Sequence, residues 1–195
     1  MTILKNIEVS DRRGKMLMDT SVINLFSTCL HKYILPTSLI DDCKEELVSY
    51  AQNNESGIQQ YFTTYNTHLE TVDSIGPSCK IISNNVVRFA TIMAERRARI
   101  ENSFFNYVPK GNVHSKHNHG GKEMICAIVY FDNIGQTNFY DPRPQVFNWQ
   151  PHSEVAEKGK VVLFPGWLEH DMPAHYEDEF RITMPFNMLI DMIER

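Results

Sequence analysis

The stretch "NVHSKHNHGG" places His114, His117 and His119 close together, and six of the chain's eight histidines fall between His114 and His175. His117 and His119 are two residues apart. On an extended strand both side chains leave the same face a few ångströms apart, which suits two ligands of one metal ion. Neutral imidazole is accepted by both Fe(II) and Zn(II). Taken alone, an HxH in a polar turn reads more readily as solvated loop than as a ligand pair. His170 ends "GKVVLFPGWLEH", where an apolar strand runs into Pro165 and a turn at Gly166. That position could bring a third imidazole opposite the pair, or leave a histidine hydrogen-bonded at a sheet edge. Counted on a regular strand, His114 lies three residues before His117 and faces the other way.

The fourth candidate is Arg181 in "FRITMPFN", flanked by Phe180, Ile182, Met184 and Phe186. A guanidinium carried inward by such a strand needs an anion, because an unpaired buried charge is very costly. Its planar fork matches a carboxylate through two parallel hydrogen bonds. Thr183 shares the face and could donate its hydroxyl to the same anion. An internal Asp or Glu, or an outward side chain, would also account for the arginine. His152 and His175 read as polar-loop residues, with His175 at most touching a substrate. Trp149 and Trp167 read as aromatic packing at a rim.

The elements that must position these residues come in two blocks. Short extended pieces, "KMLMDTSVINLF" and "KYIL", are stopped by Pro36. The sequence then predicts a helix from Thr37 to about Asn53, with Leu39, Cys43, Leu47 and Ala51 at helical spacing. A polar stretch from Glu55 to Ser83 carries little pattern. A second helix is predicted in "NNVVRFATIMAERRARIENS", with Val86, Val87, Ala90, Met93 and Ala94 as its apolar stripe and Arg96, Arg97 and Arg99 on a solvated face. From Ser103 onward the pieces are short, aromatic and β-branched, separated by Pro, Gly and Asn. Helices followed by a block of strands predict an α+β fold or an all-β sandwich with helices on one side.

Composition narrows the function classes. The chain has 195 residues, 42% hydrophobic and 22% charged, with a formal charge of -5. This is the composition of one folded domain, with 1–102 as N-terminal strands and supporting helices and 103–195 as the core carrying the site. The acidic balance gives no electrostatic footprint for nucleic acid. No apolar run reaches membrane-spanning length and the N-terminus lacks a signal-peptide core, so the expected location is the cytoplasm. The four cysteines, Cys29, Cys43, Cys79 and Cys126, show no CxxC and are expected as reduced thiols.

Jointly, the motifs "FNYVPKGNVHSKHNHGG", "ICAIVYFDN", "FYDPRP", "GKVVLFPGWLEH" and "FRITMPFN" resemble the 2-oxoglutarate and Fe(II)-dependent dioxygenase superfamily, most closely a small branch found in marine bacteria and their phages. They span Phe104 to Asn187 in the family's order, and "INLFSTCLHKYILP" resembles the strand that usually precedes them. The resemblance implies a mainly β fold with flanking helices, a double-stranded β-helix of the jelly-roll, cupin-like kind. It implies Fe(II) on a facial triad that includes His117 and His170, with 2-oxoglutarate as cosubstrate and O₂ as oxidant. Arg181 and Thr183 would hold the far carboxylate, and Asn106, Tyr107 and Tyr130 would line the cosubstrate. Turnover would give succinate and CO₂ and hydroxylate a C–H bond of an unidentified protein or small-molecule substrate. The reacting oxygen would be bound to the metal, so no protein acid or base is assigned.

One position departs from the family. Its usual motif is HxD, and residue 119 is histidine. Either His119 completes a three-histidine iron site, or an acid such as Asp141, Glu123 or Asp171 supplies the third ligand. A three-histidine zinc hydratase or hydrolase, and a cupin-like module that binds metal without turnover, are the rival readings. Open sheet edges leave room for a homodimer.

Overall fold

A computed structural model describes residues 3–11, 14–22, 28–54, 62–63, 72–121, 123–142 and 150–191. Trp149 and the start of "INLFSTCLHKYILP" lie outside the described residues. The strands are β1 (Ile3–Asp11), β2 (Gly14–Val22), β3 (His31–Ile34), β4 (Phe62–Thr63), β5 (Ala98–Ser103), β6 (Asn106–Val108) and β7 (His114–His117). They continue with β8 (Met124–Tyr130), β9 (Gln136–Phe139), β10 (His152–Val155), β11 (Lys160–Pro165), β12 (His170–Met172) and β13 (Arg181–Ile190). The helices are α1 (Thr37–Asn54) and α2 (Pro77–Ala94).

β1 and β2 form a separate antiparallel pair. The remaining strands make two facing sheets: a large one in the order β3-β11-β8-β13-β6-β4, with β5 also on β13, and a small one in the order β10-β9-β12-β7. All the strand pairings are antiparallel. β3 and β5, from the N-terminal part of the chain, are therefore strands of the large sheet.

Strand alternation separates two cores. On one face of the large sheet, Ala127, Val129, Val161, Leu163, Ile182, Met184, Phe186 and Met188 pack against Ile40, Cys43 and Leu47 of α1 and Cys79, Ile82, Val86 and Ala90 of α2. On the other face, Cys126, Ile128, Tyr130, Val162 and Phe164 meet Phe139 and Met172 of the small sheet. The period of two thus sends alternate side chains of one strand to helices or to the space between sheets.

α1 matches its expected span. α2 starts earlier and stops sooner than its apolar stripe suggests. Pro77 sits in the first turn, where its missing N–H costs nothing, and Glu46 of α1 accepts the free N–H groups of Ser78 and Cys79 at 2.9 and 3.0 Å. The helix ends at Glu95 in the left-handed region (φ 53°), after which Ala98–Ser103 pairs with β13. Arg99 is therefore on a strand and Arg96 and Arg97 in the connection, not on a helix face. A long strand partner outweighs helical propensity there. The cysteines are free thiols, with Cys43 and Cys79 facing each other at 3.3 Å inside the α1–α2 contact.

Candidate metal and cosubstrate site

The site is built between the sheets, at the end where β7 and β12 pair. His170 lies directly across from His117 in that ladder. The nitrogen ligand atoms of His117, His119 and His170 all lie within 4.8 Å of one another. Ring centroids are 4.4 Å apart for His117–His170, 5.0 Å for His117–His119 and 5.3 Å for His119–His170. Two of the three imidazoles are fixed by the backbone. Nδ1–H of His117 donates to Ser115 O at 2.7 Å, and Nδ1–H of His170 donates to Leu168 O at 2.9 Å. Each bond selects the tautomer whose Nε2 carries the free lone pair, the arrangement that supports metal-bound histidine.

His119 is held differently. Its own N–H donates to Gly166 O at 2.9 Å, and Gly166 N–H donates to Met124 O at 2.8 Å. A Cβ at Gly166 would stand 2.8 Å from Met124 Cβ, so this close approach requires glycine. The backbone of residue 119 is therefore anchored, while its ring makes no hydrogen bond among the described residues.

Burial sets the protonation states. Desolvation, then the neighbouring imidazoles, lowers His119 to about 4. Burial lowers His170 to about 3 despite its bond to Leu168, and the nearby histidines push the same way. Phe139 and Phe164 flank His170 at 6.2 and 4.7 Å. Both imidazoles are thus neutral at neutral pH, as ligation requires.

Arg181, 1% exposed, heads β13 on the same interior face. Its Nη1 donates to Pro173 O at 2.9 Å. Gly135 (φ +77°) leaves room for it: a Cβ there would stand 2.9 Å from Nη1. Thr183, two residues along, is fully buried and its hydroxyl has no hydrogen-bond partner among the described residues. Asn106 pairs with Thr183 across the β6–β13 ladder and is buried, and Tyr130 pairs with Thr183 from β8. The Tyr130 hydroxyl shares a 2.6 Å hydrogen bond with Thr137, and burial raises its pKa. A donor set of three imidazoles, a buried arginine and an unsatisfied buried hydroxyl fits a divalent metal with a dicarboxylate beside it.

Several sequence expectations need correction. Tyr107 does not reach this space: it neighbours Asn106 on β6, so alternation turns it to the helix side, where it stacks on Phe180 at 4.2 Å. Asp141 lines a separate cleft of about 450 Å³ with Tyr140, Lys32, Gln150 and His152. The Asp171 carboxylate accepts from Asn138 Nδ2 at 2.9 Å and from the Tyr140 hydroxyl at 2.6 Å. Glu123 is exposed. None of these acids joins the three histidines in the metal-capable cluster found among the described residues. His175 is no loop ornament: it is buried, and its Nε2–H donates to Val108 O at 3.0 Å, tying the approach to β13 onto β6.

The largest correction concerns His114. The β7–β12 ladder pairs His117 with His170 and His114 with Met172, so three steps on β7 face two on β12. This irregularity turns His114 to the same side as His117, with the rings stacked at 4.9 Å and 23°. His114, Asn106, Cys126, Pro185 and Asn187 line the small cavity, about 20 Å³, that the three histidines enclose. The sequence reading missed Cys126 and Asn187 as well. Their bond (Sγ to Oδ1, 3.2 Å) and their inward placement follow from alternation once the ladder is known.

Residues 102–187 match the family described as "Putative 2OG-Fe(II) oxygenase". No curated protein matches the chain. Among solved structures, HygX from Streptomyces hygroscopicus with nickel and 2-oxoglutarate bound superposes with a TM-score of 0.67 at 10% identity, covering 85% of this chain and 84% of that one. A prolyl-4-hydroxylase from Pseudomonas putida gives 0.60 at 12% identity over 85% and 95% of the two chains. SnoK, a non-heme alpha ketoglutarate dependent carbocyclase from nogalamycin biosynthesis, gives 0.64 at 11% identity over 84% and 80%. The fold is the double-stranded β-helix.

Proposed function

We propose that this chain is an Fe(II)- and 2-oxoglutarate-dependent dioxygenase that hydroxylates a protein or small-molecule substrate, with His117, His119 and His170 holding the metal. The observation that carries this reading is the pairing of the His117 and His170 rings, each tied through Nδ1 to a backbone carbonyl, with Arg181 and Thr183 inward on the facing sheet. When bound, Fe(II), 2-oxoglutarate and O₂ supply oxidative decarboxylation to succinate and CO₂, coupled to insertion of oxygen into a C–H bond. The chain's own residues bind, orient and shield. His117 and His170 present Nε2 atoms whose direction is set by the Nδ1 bonds before the metal arrives. Arg181 offers its fork to the far carboxylate, and Thr183 is placed to donate its hydroxyl beside it. Phe139 and Phe164 close the back of His170 and keep water from that side. The arginine also favours this reading over a three-histidine zinc hydratase, which has no use for a buried carboxylate anchor.

The test is O₂-dependent formation of succinate from 2-oxoglutarate by the Fe(II)-loaded protein without added substrate. The expected result is slow succinate formation that disappears in Arg181→Ala. Tight metal binding with no affinity for 2-oxoglutarate at millimolar concentration would overturn the reading in favour of a metal-binding module.

A further inference from the structure

His114 is the titratable group nearest the site that the proposed function leaves without work. Three observations bear on it. The ladder irregularity places it on the interior side, one rung from the His117–His170 pair and opposite Met172. Met172 is followed by Pro173, whose carbonyl oxygen holds Arg181 Nη1. His114 therefore lines the cavity of the three histidines and sits across the ladder from the residue that precedes Arg181's backbone partner. Its ring lies flat on His117, and neither of its ring nitrogens hydrogen-bonds to a protein group among the described residues. In this respect it differs from His117, His170 and His175, each of which spends a ring N–H on a backbone carbonyl.

We infer that His114 is a second anchor for the carboxylate held by Arg181, donating a ring N–H to it from the small-sheet side while Arg181 and Thr183 bind it from the large sheet. A half-buried imidazole N–H with no protein acceptor is a donor awaiting one, and an anion on Arg181 is the acceptor this space offers. The inference rests on the proposed function, because it takes 2-oxoglutarate as the molecule that reaches Arg181. The stack on His117 has a separate role: it backs a metal ligand and would be kept by any flat ring.

These two roles separate by substitution. His114→Phe keeps the flat ring and removes the donor; His114→Gln removes the ring and keeps an N–H donor. Calorimetric titration of the Mn(II)-loaded full-length protein with 2-oxoglutarate, and with pyruvate, which lacks the distal carboxylate, reads the anchor without turnover. The expected result is about a tenfold loss of 2-oxoglutarate affinity in His114→Phe, about threefold or less in His114→Gln, and no change for pyruvate or for Mn(II) in either. An unchanged 2-oxoglutarate affinity in His114→Phe, with loss in His114→Gln, would leave only the stacking role and overturn the inference. Loss of Mn(II) in both variants would overturn it too, by making His114 part of the metal's own support. Wild type that binds Mn(II) but not 2-oxoglutarate would overturn the proposed function itself, and the anchor with it.

Discussion

The two faces of β13 divide the work of the molecule between them. Ile182, Met184, Phe186 and Met188 point to the helices and fill an apolar core, whereas Arg181, Thr183 and Asn187 on alternate positions point to the space between the sheets. Both sets are buried almost completely. The helix-side face is buried by packing, and its loss should cost stability. The interior face is buried at the expense of polar groups that need partners, and its loss should cost binding. A strand with a repeat of two can hold both kinds of residue because neighbours never share an environment.

The largest effect should come from the histidines at the interior end. His117→Ala or His170→Ala should lower metal affinity by more than the roughly 10–100-fold that loss of a supporting hydrogen bond costs, read by metal titration. His119→Asp should retain metal, since a carboxylate at that position is an equally good ligand for Fe(II). Arg181→Ala should come next, weakening 2-oxoglutarate by the roughly 2–5 kcal/mol typical of truncating a buried charged anchor while metal affinity stays as in wild type. On the other face, Met184→Ala should lower unfolding stability by about 2–5 kcal/mol and leave the affinities of the surviving folded protein unchanged. If Met184→Ala weakened 2-oxoglutarate as much as Arg181→Ala, the division between faces would not hold.

Gly135→Ala tests the comparison more finely. The new Cβ would press on Arg181 Nη1 and carry a left-handed backbone, costing about 1–2 kcal/mol and weakening 2-oxoglutarate less than removing the arginine does. The smallest effect is in pH. His119 and His170 stay neutral in the folded apoprotein down to about 4 and about 3, whereas in the unfolded chain both take up protons below about 6.5. Protons therefore favour the unfolded state, and the melting temperature of the metal-free protein should fall as pH drops from about 6.5 toward 4. His170→Phe should flatten that fall.

What could be read from the sequence follows the same physics. His117, His119 and His170 are brought together, and Arg181 and Thr183 share one face of β13; the β13 pair is legible because alternation governs it, whereas His119 follows the end of β7 and is held through Gly166. His114 and Tyr107 fail that reading for opposite reasons. The irregular β7–β12 ladder breaks the alternation at His114 and adds a ring to the site, while unbroken alternation at β6 removes Tyr107 because Asn106 takes the inward position. The bounds of α2 were hidden because its first turn is capped from α1 by Glu46, a tertiary contact with no local signature. Its end depends on β13 claiming Ala98–Ser103 as a partner, which is likewise nonlocal.

The account stands most directly on whether metal and 2-oxoglutarate meet on the three histidines. Anaerobic addition of Fe(II) followed by 2-oxoglutarate should produce a visible charge-transfer band in wild type, which Arg181→Ala should shift to much higher 2-oxoglutarate concentrations and His117→Ala should abolish. Wild type that binds Fe(II) and shows no band at saturating 2-oxoglutarate, or a band of undiminished intensity in His117→Ala, would contradict it.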